Sequence, residues 1–333
     1  MRHNSKIIIV KAVVSFFLLT ISYQLLATKV SAQKIDLSVN PPHLELFMKP
    51  DVSVLTAVTL ENLGDPVVIS ARVVSFEPTG DQGERIIKDK AEGPLRFSLE
   101  NSDLVLGEKV FLPQKKKIQL LLKTRSIENA TNGDYYYMVV FKTEPPTLAT
   151  SAGRGSAEIA ANILVSISDT GIATVDGKIA QFAIVPRYKF NLFGKRFDVI
   201  EPGDEVPVVL KIANTGNYLI APEAEIKVQG PYGTTLKQKL VPVNVLRGSE
   251  RLITQEEEIV CSRCTTPVST VFHGFFLGKY GLSADISFQN AQQKVFASTE
   301  FWALPVQLTK VVAMLFGISI FTLVFVAKNK RRK

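Results

Sequence analysis

The 333-residue sequence contains only two cysteines, Cys261 and Cys264, which lie three positions apart. Two cysteines so close together cannot bridge separate parts of a domain, so hydrophobic cores alone must stabilise the fold. The sequence also lacks a Gly-rich phosphate loop, an H-E-x-x-H motif and a G-x-S-x-G nucleophile motif. It therefore predicts a protein that is not an enzyme, with no catalytic, cofactor-binding or metal-binding residues and no cofactor.

Histidine is nearly as scarce, and only His43 and His273 lie beyond the N-terminal segment. His273 is the one histidine near the C-x-x-C pair, which leaves a four-ligand zinc site incomplete. In an exported loop, the simplest interpretation of Cys261 and Cys264 is a local disulfide. Free thiols, a metal site and a redox pair remain alternatives. His43 follows two prolines in an apparent first strand and is predicted to be a surface or edge residue.

An excess of basic charge is present only at the two ends of the chain. The formal net charge is +8, but residues 1–32 hold four bases and residues 328–333 hold five, with no acid in either segment. The remainder is close to neutral, with 30 bases and 31 acids. Nucleic acid is therefore not an expected partner, because its binding requires a basic patch on the folded part.

Both ends read as membrane-related segments. Residues 1–32 combine a basic start, a short apolar stretch and the small residues Val30-Ser31-Ala32, as in a secretory signal peptide; an uncleaved anchor is the alternative. Residues 304–327 are apolar enough for a transmembrane helix, and the basic tail 328–333 predicts a cytoplasmic C-terminus. Phe301 and Trp302 are predicted to lie in an outer aromatic belt. The protein is thus expected in the cell membrane, single-pass, with its N-terminal part outside.

The segment between these ends alternates apolar and other residues in short runs separated by turn residues. No long amphipathic helix interrupts it, which predicts an all-β fold of antiparallel β-sandwiches. The runs expected to be strands include IDLSVNPPHLEL, TAVTLEN, VVISARVVSF, KKIQLLLK, YYYMVVFKTE, AANILVSIS, VPVVLKIAN, EAEIKVQG, LKQKLVPV and GLSADISF.

Four sequence marks occur twice in the same order, which indicates two copies of one fold. A Pro opens a strand, an Asn-x-Gly turn closes it, an apolar-polar run follows, and a Gly-x-Tyr precedes another strand. The pairs are Pro50 with Pro202, Asn62 with Asn214, Leu112 with Leu246, and Gly133 with Gly278. The turn is explained by the tolerance of Asn and Gly for positive φ. The predicted domains are residues 33–171 and 172–303.

The spacing between these marks places one insertion in each copy. Copy one is longer after Asn62, within EPTGDQGERIIKDKAEGP, and copy two is longer around EEEIVCSRCTTP. Cys261 and Cys264 are therefore expected on a loop outside the shared core, where binding residues often lie.

The stretch IDLSVNPPHLELFMKPDVSVLTAVTLENLGDPVVISARV resembles the start of immunoglobulin-like domains in bacterial surface and periplasmic proteins. The overall layout is similar to the WxL-interacting family and, more distantly, to pilus-chaperone-like sandwiches. The resemblance implies two tandem immunoglobulin-like sandwiches on one C-terminal helix, and a partner that is a cell-wall glycan or another surface protein. No binding residue of that family can be placed on this sequence, and the Cys261–Cys264 insertion departs from it.

These features favour a non-enzymatic surface protein that acts in structure or adhesion. The alternative is a membrane-tethered chaperone or assembly factor that adds a strand to exported subunits. A wall-active hydrolase is a third hypothesis, which the missing catalytic motifs disfavour.

Overall fold

A computed structural model describes residues 34–101, 105–144, 156–288 and 293–330. The predicted signal peptide, residues 1–32, and the last residues of the tail, 331–333, lie outside this part of the chain. The described residues form two β-sandwiches followed by one long helix.

The first sandwich contains ten strands in two facing sheets. They are β1 (Leu37–Asn40), β2 (His43–Met48), β3 (Ser53–Asn62), β4 (Val67–Thr79), β5 (Glu84–Ile87), β6 (Leu95–Leu99), β7 (Lys109–Leu112), β8 (Lys117–Ser126), β9 (Gly133–Glu144) and β10 (Glu158–Ile167). One sheet has the order β1-β3-β8-β6, and the other has β2-β10-β9-β4-β5 with β7 also paired to β4. The β2–β10 pair is parallel, and the other pairs are antiparallel.

The second sandwich repeats this plan. Its strands are β11 (Gly177–Ile184), β12 (Tyr188–Leu192), β13 (Lys195–Ile200), β14 (Val206–Asn214), β15 (Pro222–Gln229), β16 (Thr235–Leu240), β17 (Glu250–Leu252), β18 (Thr270–Phe272), β19 (Gly278–Phe288) and β20 (Gln293–Ala303). One sheet has the order β11-β14-β17, with β18 also on β14, and the other has β12-β13-β20-β19-β15-β16. The parallel pair recurs as β13 with β20.

The matching strand orders confirm the prediction of an all-β chain built from two tandem immunoglobulin-like sandwiches. The order β2-β10-β9-β4 corresponds to β13-β20-β19-β15, and β1-β3 corresponds to β11-β14. The long strand β8 is replaced in the second sandwich by the two short strands β17 and β18, with residues 253–269 between them. The insertion carrying the cysteines therefore divides one strand. Gly171, the predicted domain boundary, lies in the connection between β10 and β11.

The repeated asparagine is a buried structural residue in both sandwiches. The Asn62 side-chain amide donates hydrogen bonds to the carbonyl of Asp65 at 2.8 Å and of Leu112 at 3.2 Å. The Asn214 amide donates in the same way to the carbonyl of Tyr218 at 2.8 Å and of Val245 at 2.9 Å. Each asparagine thus satisfies buried carbonyls of its own turn and of a distant segment. The partner of Leu112 is Val245, so the predicted pairing with Leu246 is wrong by one residue.

The prediction that the glycine of this turn adopts a positive φ is also wrong. Neither Gly64 nor Gly216 has a positive φ. At Gly64 the requirement is close approach, because an added β-carbon would lie 2.2 Å from the carbonyl oxygen of Lys34. The amide of each glycine is held by the asparagine side chain two residues earlier, at 3.0 Å from Asn62 and 2.9 Å from Asn214.

The core of the second sandwich extends to its last strand. Phe301 is completely buried, and its ring stacks on Tyr280 with 5.3 Å between centroids. The predicted aromatic-belt position of Phe301 is therefore wrong. Strand alternation continues to Ala303, so Phe301 points inward while its neighbour Trp302 is half-buried.

One helix, α1 (Val306–Lys330), follows the second sandwich. It begins two residues later than the predicted span 304–327 and includes the first three residues of the predicted tail. Val306–Leu323 is long and apolar enough to cross a membrane, and none of it is buried in the protein. The membrane location and the orientation of the tail stay predictions.

Candidate interaction site between the sandwiches

The outer face of the β9 sheet packs against the second sandwich. Alternation along β9 sends Tyr137 into the first core, and Tyr136 and Met138 to the opposite face. On that face they join Val74, Phe76, Val140 and Leu164 in a buried cluster that Leu219 and Leu246 of the second sandwich complete. Both faces of this strand are therefore buried, one within the sandwich and one at the junction.

Asp134 is the buried charged group at the centre of the junction. Its carboxylate accepts hydrogen bonds from the Ser166 hydroxyl at 2.6 Å, the Tyr136 hydroxyl at 3.3 Å and the backbone amide of Leu219. Burial raises the pKa of Asp134, although these hydrogen bonds oppose that shift. Tyr136 in turn accepts the backbone amide of Arg247 at 2.6 Å, and burial raises its pKa. The network thus links side chains of one sandwich to backbone amides of the other.

Further hydrogen bonds tie the sandwiches together at their edges. The Tyr218 hydroxyl donates to the carbonyl of Ile167 at 3.1 Å. The Asn244 side chain donates to the carboxylate of Glu45 at 2.8 Å. Apolar contacts, a buried carboxylate and these peripheral bonds together hold the two sandwiches in one fixed arrangement.

The insertion in the first copy adds a second point of attachment. Residues 76–87 form a hairpin of β4 and β5 whose tip reaches the second sandwich. The carbonyl of Asp81 accepts the amide of Leu252 at 2.8 Å, and its carboxylate lies 2.5 Å from Lys211. Arg251 packs over the tip so closely that a β-carbon at Gly83 would be 2.3 Å from its guanidinium. The spacing of the repeated marks predicts this insertion, but not its role as a bridge between the sandwiches.

A cleft of about 120 Å³ opens beside the buried junction. His43, Arg85 and Asn162 line it from the first sandwich, and Asn244 and Arg251 from the second. Arg85 donates to Asn162 at 2.5 Å. The His43 ring lies 2.8 Å from Glu45, and this hydrogen bond lowers the pKa of the glutamate. The cleft therefore offers hydrogen-bond donors of both sandwiches to a ligand.

Strand β2 lies at the rim of this cleft and has a free edge. It pairs with β10 on one side, and no strand in the described part of the chain pairs with its other side. The flanking bonds to the carbonyls of Pro42 and Met48 show that even-numbered residues bond to β10. The backbone groups of His43, Glu45 and Phe47 therefore point to the free edge. His43 is exposed, in agreement with its prediction as a surface or edge residue. Phe47 is 50% exposed, so this edge carries an accessible aromatic side chain.

The two cysteines line a depression shared with Arg251 and with Gln82 of the β4–β5 hairpin. Cys261 and Cys264 are joined in a disulfide in this structure, and the bonded state of the pair in solution stays a prediction. Between them, Arg263 forms an ion pair with Asp204, and the Ser262 amide donates to Glu205 at 3.0 Å. The loop thereby covers a small apolar cluster on the outer face of β14.

Asp204 is held by charges as well as by backbone. Its side chain is 7% exposed and lies 3.2 Å from Arg187, and the Glu201 amide donates to it at 3.1 Å. Burial raises the pKa of Asp204, but the hydrogen bonds of Arg263, Glu201 and Arg187 outweigh this effect and leave the pKa below its usual value. The ion pair and hydrogen bond of the loop thus attach it to the connection between β13 and β14.

Metal chemistry has no support in the described residues, where no group of three or more His, Cys, Asp or Glu side chains is arranged for a metal ion. His273 is exposed in the connection from β18 to β19. The sequence predicted no metal residues and no catalytic residues, and both remain predictions.

A second open depression, of about 580 Å³, lies on the outer face of the β15–β20 sheet. Phe296 is 62% exposed there, among Glu225, Asp285 and Lys239. The Lys227 ammonium lies 3.3 Å from Glu225 and donates to Asp285 at 2.6 Å, and this hydrogen bond to Asp285 raises the pKa of Lys227. An exposed ring surrounded by hydrogen-bonding side chains is an arrangement suited to a sugar.

No protein-family model and no curated protein sequence matches this chain. Solved structures of similar fold include the class 5 fimbrial chaperone CfaA, 14% identical, covering 79% of this chain and 99% of that chain with a TM-score of 0.39. A chain of the Acinetobacter baumannii CsuC–CsuE chaperone–tip adhesion subunit complex is 10% identical and covers 81% and 99%, with a TM-score of 0.36. A chain of the Salmonella enterica SafA pilin–SafB chaperone complex is 10% identical and covers 82% and 98%, also with a TM-score of 0.36.

These structures resemble this chain in their pilus-chaperone-like, immunoglobulin-like sandwiches. With TM-scores below 0.5, they do not transfer a function to it. The resemblance to the WxL-interacting family stays a prediction.

Proposed function

We propose that this protein is a non-enzymatic, membrane-tethered assembly factor that holds an extended segment of another exported protein. The observation that carries this proposal is the free edge of β2 beside a cleft between two firmly docked sandwiches. An extended segment can add to such an edge through backbone hydrogen bonds, while its side chains enter neighbouring pockets.

The fixed junction supports this proposal. A cleft formed by two domains keeps its shape only when the domains do not move, and Asp134, the apolar cluster and the β4–β5 hairpin restrain them here. The apolar helix α1 would keep this binding body at the membrane through which its partners are exported.

A photo-crosslinking amino acid at Phe47, in the full chain in its native membrane, tests the proposal. We expect a crosslink to an extended segment of one or a few exported proteins, identified by peptide mass spectrometry. The same label at Phe111, an aromatic residue of the first sandwich that is 62% exposed, is the matched control and should not capture them.

A backbone variant distinguishes strand addition from simple proximity. Phe47→Pro removes the N–H on the free edge without removing a bond to β10, so the sandwich should fold and lose its partner. For this variant the label is moved to Glu45. Unchanged capture by Phe47→Pro, or equal capture from Phe111, contradicts the proposal.

The depression around Phe296 favours a second candidate function, adhesion to a cell-wall glycan. In that case Phe296→Ala should abolish sedimentation of the protein with purified wall glycan, whereas Phe111→Ala should not. Sedimentation that is the same for both variants would exclude this surface as the glycan site.

A further inference from the structure

The end of the second sandwich that meets α1 carries exposed apolar side chains on a short loop. The loop, residues 273–277, connects β18 to β19 and has the sequence HGFFL. Phe275 is 75% exposed and Leu277 is 52% exposed, whereas Phe276 between them is buried. Large apolar groups in water are unfavourable, and clusters of them mark contact surfaces.

Phe276 anchors this loop firmly to the core. Its ring packs edge-on against Tyr280 at 5.4 Å and Phe301 at 6.4 Å, and its amide donates to the carbonyl of Pro202 at 2.8 Å. The loop therefore has a defined conformation, and the exposure of Phe275 and Leu277 is a consequence of that conformation.

The loop lies at the same level as the start of α1. Gly278, which follows the loop, pairs with Ala303, the last residue of β20. Only Leu304 and Pro305 separate Ala303 from α1. Leu304, itself 40% exposed, directly follows the partner of Gly278, so the loop and the start of α1 lie at the same end of the sandwich.

The helix start is also fixed to the sandwich. The Leu304 amide donates to the carbonyl of Ile200, and the Gln307 amide donates to the carboxylate of Glu201, each at 3.0 Å. The Lys310 ammonium lies 5.1 Å from the centre of the Tyr188 ring. A bilayer around α1 would thus meet this end of the sandwich at a set distance, with tyrosine and lysine at the level where interfacial anchors occur.

We propose that the loop 273–277 is a membrane-contact loop that places Phe275 and Leu277 in the interfacial region of the bilayer that holds α1. The proposal rests on the membrane tether of the proposed function and adds a second lipid contact to it. Aromatic and leucine side chains at the boundary between headgroups and acyl chains stabilise such a contact through buried apolar area. The consequence is that the second sandwich stands on the membrane in one orientation.

The test uses the full chain in phosphatidylcholine vesicles with acyl chains brominated near the headgroup. Trp302, the only tryptophan, is replaced by Phe, and a single Trp is introduced at one of four positions. Phe275→Trp reports the loop, and Leu315→Trp reports the helix. Phe296→Trp is the matched control, because it lies seven residues before the end of β20, roughly 20 Å away along the strand. Leu277→Trp provides a second probe of the loop.

We expect bromide quenching of the Phe275→Trp and Leu277→Trp proteins to exceed that of Phe296→Trp by about twofold or more, with emission at shorter wavelength. Equal quenching at 275, 277 and 296, with strong quenching at 315, overturns the membrane-contact loop and leaves the tether intact. Absence of quenching at 315 as well overturns the tether and the loop together.

Discussion

Lys115 and Gly248 occupy equivalent positions in the two sandwiches, and both have a left-handed backbone conformation. Their φ angles are +59° and +69°. Their amides donate to the carbonyls of the two repeated asparagines, Asn62 at 2.7 Å and Asn214 at 3.1 Å. The same turn is therefore built once with glycine and once with a residue that this conformation disfavours.

This pair predicts opposite effects of exchanging the two residue types. Gly248→Ala should lower the free energy of unfolding by about 1 kcal/mol, because an L-residue is strained there. The added β-carbon would meet nothing within 4 Å, so only the backbone contributes. Lys115→Gly should be neutral or stabilising by up to about 1 kcal/mol. Urea unfolding measures both, and a Gly248→Ala protein as stable as the wild type would refute the explanation.

Asp204 predicts a pH-dependent contribution to stability. Asp204→Asn should lower the free energy of unfolding by about 2 kcal/mol at pH 7, because it leaves Arg187 and Arg263 without their carboxylate. The folded-state pKa lies below the ordinary 3.8, so the stabilisation is present above that pH and is lost as pH falls through the folded-state pKa.

The measurement is denaturant unfolding of both proteins between pH 7 and pH 3. The difference between wild type and Asp204→Asn should narrow at the acid end. A constant difference would show that the carboxylate charge does not contribute.

At the scale of elements, most strands with clear alternation could be predicted from the sequence. The contacts between the two sandwiches could not. The ten predicted strand runs are all found as strands, because period-two patterns reflect one buried face. Strand β20 also alternates, with Val295, Ala297, Thr299 and Phe301 facing inward, but the predicted strand runs do not include it. The predicted strand runs do not include the hairpin of β12 and β13 either.

The sequence carries a signal for the junction between the sandwiches. The run from Tyr135 to Phe141 is apolar on both faces, as in strands that are covered on both sides. Asp134 stands where the second copy has Lys279, so the two copies carry opposite charges at this position. Which neighbour Asp134 contacts depends on the relative placement of two domains, which local patterns do not contain.

The disulfide loop between β17 and β18 gives a prediction at this scale. Replacing both Cys261 and Cys264 by Ser opens the small ring that the disulfide closes. The loop-entropy relation then predicts a loss of about 2 kcal/mol in the free energy of unfolding. The loss of stability should be confined to residues 256–267, because none of their side chains belongs to the main core of the second sandwich.

Hydrogen exchange should therefore become faster in this loop and remain unchanged in β19 and β20. Faster exchange throughout the second sandwich would instead place the loop among its cooperative core elements.

At the scale of the whole molecule, Asp134 predicts how the two sandwiches unfold. Asp134→Ala leaves the amide of Leu219 and the hydroxyl of Ser166 without their acceptor, at a cost of about 2 to 3 kcal/mol. Because Leu219 and Ser166 belong to different sandwiches, the loss of their shared acceptor weakens the coupling between the two sandwiches.

Calorimetry should show one cooperative transition of the β part in the wild type and two separate transitions in Asp134→Ala. Ser70→Ala, at a half-buried position in β4 away from the network, is the control and should keep a single transition. A single transition in Asp134→Ala would show that the β4–β5 hairpin and the apolar cluster couple the sandwiches without the carboxylate.

If α1 lies in a bilayer, the two-residue connection between β20 and α1 fixes the distance of the sandwiches from the membrane. Because no flexible linker separates the second sandwich from α1, the free edge of β2 then stays at a constant distance from the bilayer surface. A polypeptide emerging through the same membrane would encounter it by lateral diffusion, a search in two dimensions. A target farther out than that distance would never be reached, however strong its intrinsic affinity.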